Sequence, residues 1–353
     1  MNNGLVTTAS CTLPERDRKL QYNKQLGMRM SRLLIGTEHE DKALRMQSCA
    51  THLTYQVKQH ITTGEIKQDL QVMHTCKVRV DPVCTWARSR IWRKRLEEGL
   101  TKMMVDHSST RFIFLTLTKE TCDVTQLGEN IALLSKSFDK LMKRRDVKTN
   151  VLGYAKSLEI TRRFDWYDSR GKFIERHGTT WFNRHKSKSK GKWKAKPTDE
   201  CHPHIHVLLA VKASYFSHGY ITQNEWVNYW KESLDIDYKP VVDIRTVKPN
   251  PKYENDKLGL ISSVLELAKY STKPCDIVFD QYFLVQFINQ IHGTKHIVTG
   301  GLIKKYINAS EPSEEDILKA SANVTEQDEW IDIDTIYFDF DEHKNAYQER
   351  RVI

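Results

Sequence analysis

The segment HPHIHVLLAV at residues 202–211 constrains the fold more than any other part of the chain. It alternates as a β-strand does, and residues two apart on a strand share a face, so His204 and His206 point the same way. His202 joins them if the strand is regular through Pro203. Two imidazoles on one face can bind a divalent ion, while the apolar residues that follow bury the strand. The segment therefore predicts a core strand with a candidate metal site at its start.

Other segments predict the strands and helices around this one. Strand-like alternation occurs at 111–118, 151–164 and 241–247. Helical spacing of apolar residues occurs at 125–145, 222–234, 257–273 and 281–292. Thr222 is the predicted N-cap of the second of these helices. The order of elements shows few signs of parallel crossovers, which favours an α+β fold with a central antiparallel sheet flanked by helices.

A third metal ligand is predicted on the segment SLEIT at 157–161. Glu159 lies there between two apolar residues in a strand-like run. A carboxylate that shared the histidine face would complete a two-histidine, one-carboxylate site with open coordination positions. The alternative is a glutamate on an edge strand that faces water.

The segment ELAKYSTK at 266–273 offers a nucleophile. Glu266 and Tyr270 are four residues apart on the predicted helix, so they share a face and place a phenol one turn from a carboxylate base. Lys269 or Lys273 could favour phenolate formation or hold a phosphate. The alternative is an amphipathic helix with an ordinary tyrosine.

The charge of the chain points to a polyanionic partner. Its 55 lysines and arginines outnumber its 45 acidic residues, the formal net charge is +10, and 13 of the acidic residues lie within 309–353. The residues before 309 are therefore strongly basic, which is typical of nucleic-acid-binding proteins. The alternative is an ordinary basic enzyme. Bases interleave with aromatic residues in a polar insertion at 165–200, which favours single-stranded DNA over a merely solvated loop. The candidate DNA contacts in and beside it are Arg162, Arg163, Lys186, Lys188, Lys190, Lys192 and Trp193.

The cellular compartment is predicted from the absence of a membrane-spanning stretch and of a secretory signal pattern, and from the cysteine usage. No stretch approaches the roughly 18 apolar residues of a spanning helix, and the first residues have no secretory signal pattern. Seven scattered cysteines fit a reducing compartment better than a disulfide framework. We therefore expect a cytoplasmic protein without a membrane partner.

Three of these segments together resemble a known family. FLTLT (114–118), HPHIHVLL (202–209) and ELAKYSTK (266–273) are similar, in this order, to motifs one, two and three of the plasmid rolling-circle replication initiators. These are Rep proteins of the HUH endonuclease superfamily, in the branch with a single catalytic tyrosine. SLEIT and the segment CKVRVDPVCTWARSR at 76–90 also resemble that family, so the resemblance covers roughly 46–306.

The resemblance implies an RRM-like fold and a set of roles. His204 and His206 would bind a divalent metal, Mg²⁺ or Mn²⁺, with Glu159 as third ligand and His202 as the alternative. Tyr270 would nick the origin strand, leaving a 5′-phosphotyrosyl link and a free 3′-OH primer, and Glu266 would activate water to end the cycle. The strand would later be rejoined.

The resemblance also implies binding partners, and it leaves alternative functions open. The partners are origin DNA, single-stranded or as a hairpin, a host helicase and a DNA polymerase, and a second copy in a homodimer. The chain has no GxxxxGK[ST] sequence, so a motor of its own is not expected. A single-tyrosine HUH transposase, a relaxase and a non-catalytic DNA-binding repressor are the alternative functions.

The cysteine-containing region departs from the family pattern. Relatives usually carry Cys-x4-Cys-Pro-x-Cys there, whereas this chain has Asp81 at the middle cysteine position. Cys49, Cys76, Asp81 and Cys84 could still bind a structural Zn²⁺, with three packed, reduced cysteines as the alternative. The predicted domains are a polar leader (1–45), a cysteine-containing basic subdomain (46–105), an HUH endonuclease domain (106–308) and an acidic tail (309–353).

Overall fold

The computed structural model describes residues 13–180, 183–185, 192–247, 277, 280–307, 310 and 330–350. The chain divides into two compact units, one of Met1–Ile91 with Pro312–Ile353 and one of Trp92–Glu311. The first unit therefore includes the predicted leader and all of the predicted acidic tail except 309–311. Among the residues described, no helix is both long enough and apolar enough to cross a membrane.

The described residues form the following helices and strands. The helices are α1 (Arg18–Leu34), α2 (Glu40–Ser48), α3 (Pro82–Asp106), α4 (Leu127–Lys143), α5 (Arg145–Asn150), α6 (Gln223–Leu234), α7 (Gln281–Gln290) and α8 (Ile303–Tyr306). The strands are β1 (His52–His60), β2 (Ile66–Met73), β3 (Arg111–Thr118), β4 (Cys122–Asp123), β5 (Val151–Tyr167), β6 (Phe173–His177), β7 (Lys194–Val211), β8 (Val242–Thr246), β9 (Ile297–Gly301), β10 (Trp330–Asp341) and β11 (Ala346–Arg350).

The first unit is built on a four-stranded antiparallel sheet in the order β11-β10-β1-β2. Tyr55 of β1 is buried, donates a hydrogen bond to Asp17 at 3.0 Å and meets the Phe338 ring of β10 edge to face at 5.6 Å. The segment predicted as an acidic tail thus supplies two strands and part of the core of this unit.

The second unit is built on a larger antiparallel sheet in the order β6-β5-β7-β3-β8, with β9 paired to β5 and β4 paired to β7. The predicted strands at 111–118, 151–164 and 202–211 are its three central members. The predicted α+β class, an RRM-like antiparallel sheet flanked by helices, is confirmed.

The two faces of β7 pack against different helices. Val207 and Leu209 belong to a core cluster with residues of α4 and α6. Leu208 and Ala210 belong to the opposite cluster, which contains residues of α3 and α8. From Cys201 to Val211 one face of β7 is therefore apolar, while on the other face the histidines of 202–206 precede Leu208 and Ala210.

Helix α6 is held at both ends. Its N-terminus has a capping box, in which the Thr222 hydroxyl accepts from the Glu225 backbone and the Glu225 carboxylate accepts from the Thr222 backbone, so the predicted N-cap is confirmed. Near its C-terminus the Trp230 indole N–H donates to the carbonyl of Thr118 at 2.8 Å. Because Thr118 pairs with His204, this bond fixes the end of β3 beside the histidines.

Candidate metal centre

Glu159, His204 and His206 meet on one face of the second sheet. In the antiparallel ladder of β5 and β7, Glu159 lies directly opposite His204, and Ser157 lies opposite His206. One carboxylate oxygen, Glu159 Oε2, is 2.8 Å from His206 Nε2 and 3.3 Å from His204 Nε2. The three side chains together form a group that could hold a metal ion.

His202 lies next to this group without belonging to it. Its ring centroid is 5.4 Å from that of His204, and its backbone carbonyl is 3.3 Å from His204 Nδ1. Burial, aided by the nearby charges of Arg163 and His204, lowers the pKa of His202 to about 3. His202 is therefore neutral at physiological pH. The third residue grouped with His204 and His206 is Glu159.

The Nδ1 atoms of His204 and His206 contact groups outside the cluster, so the Nε2 atoms are available to bind a metal ion. A carbonyl only accepts hydrogen bonds, so a neutral His204 that bonds the His202 carbonyl carries its proton on Nδ1 and a lone pair on Nε2. His206 Nδ1 is 3.1 Å from the Thr116 hydroxyl of β3. Such partners of the second ring nitrogen orient metal-binding imidazoles. Sequence reasoning missed Thr116, although a polar residue between buried Leu115 and Leu117 was the available signal.

The carboxylate of Glu159 is ionised at neutral pH. Burial by itself would raise its pKa, but hydrogen bonds and positive charge from His204 and His206 lower the pKa below the ordinary range. The three side chains remain between 12% and 27% exposed, so the cluster is open to solvent on one side. A half-buried carboxylate against two imidazoles favours a cation, either a proton shared by the rings or a metal ion.

The separations of the donor atoms fit a metal ion. Adjacent ligands of an octahedral ion with bonds near 2.1 Å are about 3.0 Å apart. The two Nε2–Oε2 distances, 3.3 and 2.8 Å, bracket that value. Two imidazoles and one carboxylate leave coordination positions free for substrate oxygens, and the imidazoles favour Mn²⁺ over Mg²⁺.

Several predicted functional residues lie outside the described residues. They are Tyr270, Glu266, Lys269, Lys273, Lys186, Lys188 and Lys190. Of the other candidate DNA contacts, Lys192 is exposed and Trp193 is half-buried just before β7.

Arg162, a predicted DNA contact, is instead an internal residue. Its side chain is 1% exposed and forms a 2.7 Å ion pair with Asp280. It also donates to the Thr198 carbonyl at 2.7 Å, and its guanidinium lies 3.7 Å from the centre of the Phe283 ring. The guanidinium is therefore engaged inside the second unit and is not exposed to DNA.

Arg163 lies on the open face. Along this part of β5, Ile160, Arg162 and Phe164 are buried, while Arg163 alternates with them on the side of Glu159. It contacts His177 of β6 at 3.1 Å, and it is close enough to His202 to lower the pKa of that ring. Arg163 thus places a positive charge beside the candidate metal centre.

A second cluster lies in the first unit. Cys49, Cys76, Asp81 and Cys84 are all buried, and their ligand atoms lie within 4.8 Å of one another. The structure therefore brings together the four residues that the sequence analysis groups as candidate zinc ligands.

We expect Glu159→Gln to weaken Mn²⁺ binding by about tenfold or more, because the change keeps the shape of the side chain and removes its charge. Isothermal titration calorimetry with Mn²⁺ measures the affinity. His202→Ala is the control, since it removes a neighbouring imidazole outside the cluster and is expected to bind as the wild type does. Equal affinities for wild type and Glu159→Gln would exclude this carboxylate as a ligand.

The comparisons with known proteins cover most of the chain. The Rep_1 family, described as "Replication protein", matches residues 67–348. A "Protein rep" of Streptococcus pneumoniae serotype 2 is 28% identical over 295 residues, which cover 82% of this chain and 79% of that protein. A "Protein rep" of Bacillus amyloliquefaciens is 30% identical over 300 residues, which cover 79% and 76% of the two chains.

A third relative gives the same result. A "Protein rep" of Lactiplantibacillus plantarum is 33% identical over 251 residues, which cover 68% of each chain. No solved structure matches the chain. The predicted resemblance to the plasmid replication initiators is confirmed by these matches, and the chain belongs to the Rep_1 family of replication proteins.

Proposed function

We propose that the protein initiates rolling-circle replication of a plasmid by nicking one strand of its origin and later rejoining that strand. The observation that carries the proposal is the Glu159–His204–His206 cluster on an open sheet face, in a chain that belongs to a replication protein family. A replication protein that only bound DNA would have no use for two imidazoles and a carboxylate converging on one point.

The nucleophile of the proposed reaction is the Tyr270 phenol. Its oxygen releases its proton to solvent and attacks the scissile phosphorus, the bond from phosphorus to the 3′ oxygen breaks, and the 3′ oxygen takes up a proton from solvent. The products are a 5′-phosphotyrosyl link and a 3′-OH that primes synthesis. The link retains the energy of the phosphodiester bond, so attack by a 3′-OH on the same phosphorus rejoins the strand without ATP.

Glu159, His204 and His206 are proposed to hold the divalent metal. When bound, the ion supplies Lewis-acid polarisation of the phosphate oxygens. Arg163 on the same face is proposed to attract and orient the DNA phosphates. Lys269 and Lys273 are close to Tyr270 in sequence and are proposed to contact the same backbone.

Glu266 is proposed to act when replication ends. A chain with one catalytic tyrosine has no second tyrosine for the closing reaction, so water is the remaining nucleophile. A carboxylate one helical turn from Tyr270 is suited to take a proton from that water.

The described basic arm is proposed to bind single-stranded DNA. The outer ends of β5 and β7, together with β6, extend the sheet beyond the metal cluster, and Arg170, Lys172, Lys192, Lys194 and Lys196 lie exposed along them. Phosphate neutralisation by such residues, with base stacking on Trp193, would hold the strand beside the cluster.

The proposal implies further partners. A free 3′-OH needs a polymerase, and unwinding the nicked duplex needs a helicase, both supplied by the host in its cytoplasm. A second copy in a homodimer would supply a second nicking site.

We expect Tyr270→Phe to abolish nicking and to leave DNA affinity within a few-fold, because only the phenolic oxygen is removed. The assay incubates supercoiled origin plasmid with the protein and Mn²⁺ and resolves nicked circles that carry covalently attached protein. Tyr282→Phe is the control, since Tyr282 is a 54% exposed phenol on α7 that the proposal does not use. Covalent adduct from Tyr270→Phe at wild-type yield would remove Tyr270 from the mechanism.

For Glu266→Ala we expect normal nicking and normal adduct, followed by replication products longer than one plasmid unit, because the water that ends the cycle lacks its base. Product length after plasmid replication in cells, read beside the nicking assay, separates the roles. Loss of the first nick would make Glu266 part of initiation, and unit-length products would give it no role.

Replacing five lysines of the polar insertion at 165–200 by alanine is expected to flatten the plot of log affinity against log salt. On single strands the slope falls by about 0.7 for every phosphate that the protein no longer neutralises. The variant changes Lys186, Lys188, Lys190, Lys192 and Lys194. The control removes equal charge from exposed lysines near α4, α5 and the end of α6, namely Lys136, Lys140, Lys143, Lys148 and Lys239. A slope unchanged in the first variant, or changed equally in both, would show that the insertion at 165–200 makes no specific contribution to DNA binding.

A further inference from the structure

The cysteine cluster of the first unit joins three separate segments of the chain. Cys49 caps the C-terminus of α2, Cys76 follows β2, and Asp81 and Cys84 stand at the start of α3. The four residues are between 0% and 5% exposed. Three thiols and a carboxylate that converge in a dry interior from separate segments are unusual, because buried acidic groups need a partner.

The distances among the sulfur atoms suit a shared ion. Cys84 Sγ is 3.7 Å from Cys49 Sγ and 3.6 Å from Cys76 Sγ. Sulfur atoms bound to one tetrahedral Zn²⁺ at about 2.3 Å are about 3.8 Å apart. A disulfide requires about 2.05 Å, so no pair among the three is bonded. Asp81 Oδ1 lies 3.5 Å from Cys49 Sγ, so a carboxylate is placed beside the sulfur atoms as a fourth candidate ligand.

The carboxylate of Asp81 is the strongest sign of a missing partner. Its Oδ1 accepts the backbone N–H of Cys84 at 2.8 Å, as the N-cap of α3. Its Oδ2 is buried and has no hydrogen-bond partner. Gly27 of α1 approaches this oxygen so closely that a Cβ there would be 3.2 Å away. An unpaired, buried carboxylate oxygen costs free energy that a neighbouring cation would offset.

Outer contacts hold the cysteines in place. Lys24, which is 1% exposed, donates to the carbonyls of Cys49 at 2.7 Å and Gln47 at 2.6 Å, and Arg45 donates to the carbonyl of Cys76. The backbone N–H of Cys76 donates to Cys49 Sγ at 3.4 Å. These bonds orient the ligands, and the two cationic side chains offset negative charge that a metal would leave on three thiolates and a carboxylate.

We infer that Cys49, Cys76, Asp81 and Cys84 bind a structural Zn²⁺ ion. Thiolates select zinc over Mg²⁺ and Mn²⁺, and four protein ligands close the coordination sphere, as structural rather than catalytic zinc sites require. The ion would tie the end of α2 and the β2–α3 connection to the start of α3. Its role is therefore the stability of the first unit, separate from the nicking chemistry proposed for the second.

The test measures zinc by mass spectrometry in full-length protein purified under reducing conditions and washed briefly with chelator. We expect about one zinc ion per chain in the wild type and in Cys122→Ser, which removes a buried thiol outside the cluster. Glu159→Gln should also retain the zinc, so a failed metal centre in the second unit does not affect the result. Cys76→Ser should lose most of it. Equal zinc in Cys76→Ser and wild type would overturn the assignment.

A second variant covers the chance that Cys76→Ser fails to fold. Asp81→Asn keeps the N-cap, since asparagine caps as well as aspartate, and removes only the anionic ligand. Cobalt replaces zinc in the washed protein, and its thiolate charge-transfer and tetrahedral d–d absorptions report the site directly. We expect these bands in the wild type and a roughly tenfold weaker cobalt affinity in Asp81→Asn. Absence of thiolate bands in the wild type, or unchanged affinity in Asp81→Asn, would reject the proposed ligand set.

Discussion

The register of β5 against β7 is the constraint on which the candidate metal centre depends. Glu159 stands opposite His204 because the ladder runs without a break from Gly153 to Arg162. Side chains alternate along a strand, so a slip of one residue would turn Glu159 into the apolar layer that packs on α4 and α6. The same slip would bury a carboxylate and expose Leu158 or Ile160, so the core that stabilises the second unit also selects the pairing that builds the site.

The sequence predicts features that depend on neighbouring residues, such as strands and helix caps. It does not predict features that depend on residues far away in the chain. The strands at 111–118 and 202–211 follow from alternation, and the N-cap at Thr222 follows from residue type, so both were predictable. The burial of Arg162 was not, because its partner Asp280 is 118 residues away and a basic stretch is typical of a surface. The last strands were hidden by acidic composition, although Phe338 and Phe340 alternate with aspartates in β10 and gave a period-two signal.

The two candidate metal clusters of this protein differ in the type of donor atom that they offer. One offers two imidazole nitrogens and a carboxylate on a half-open face, and the other offers three sulfur atoms and a carboxylate in a closed interior. Ligand chemistry and geometry, more than raw affinity, decide which ion a protein site retains. An open site suits an ion that must meet a phosphate, whereas a closed site suits one that only holds chain segments together.

The pairing of β10 with β1 has a consequence for biosynthesis. β1 is made before the second unit, yet the strand that covers its edge is made only after every residue of that unit. Domains tend to fold in the order in which they are synthesised. The second unit can therefore complete its sheet while β1 still presents an unpaired edge, a state that invites pairing with another nascent chain. Translation of β10 covers this edge of β1 and ends the exposure.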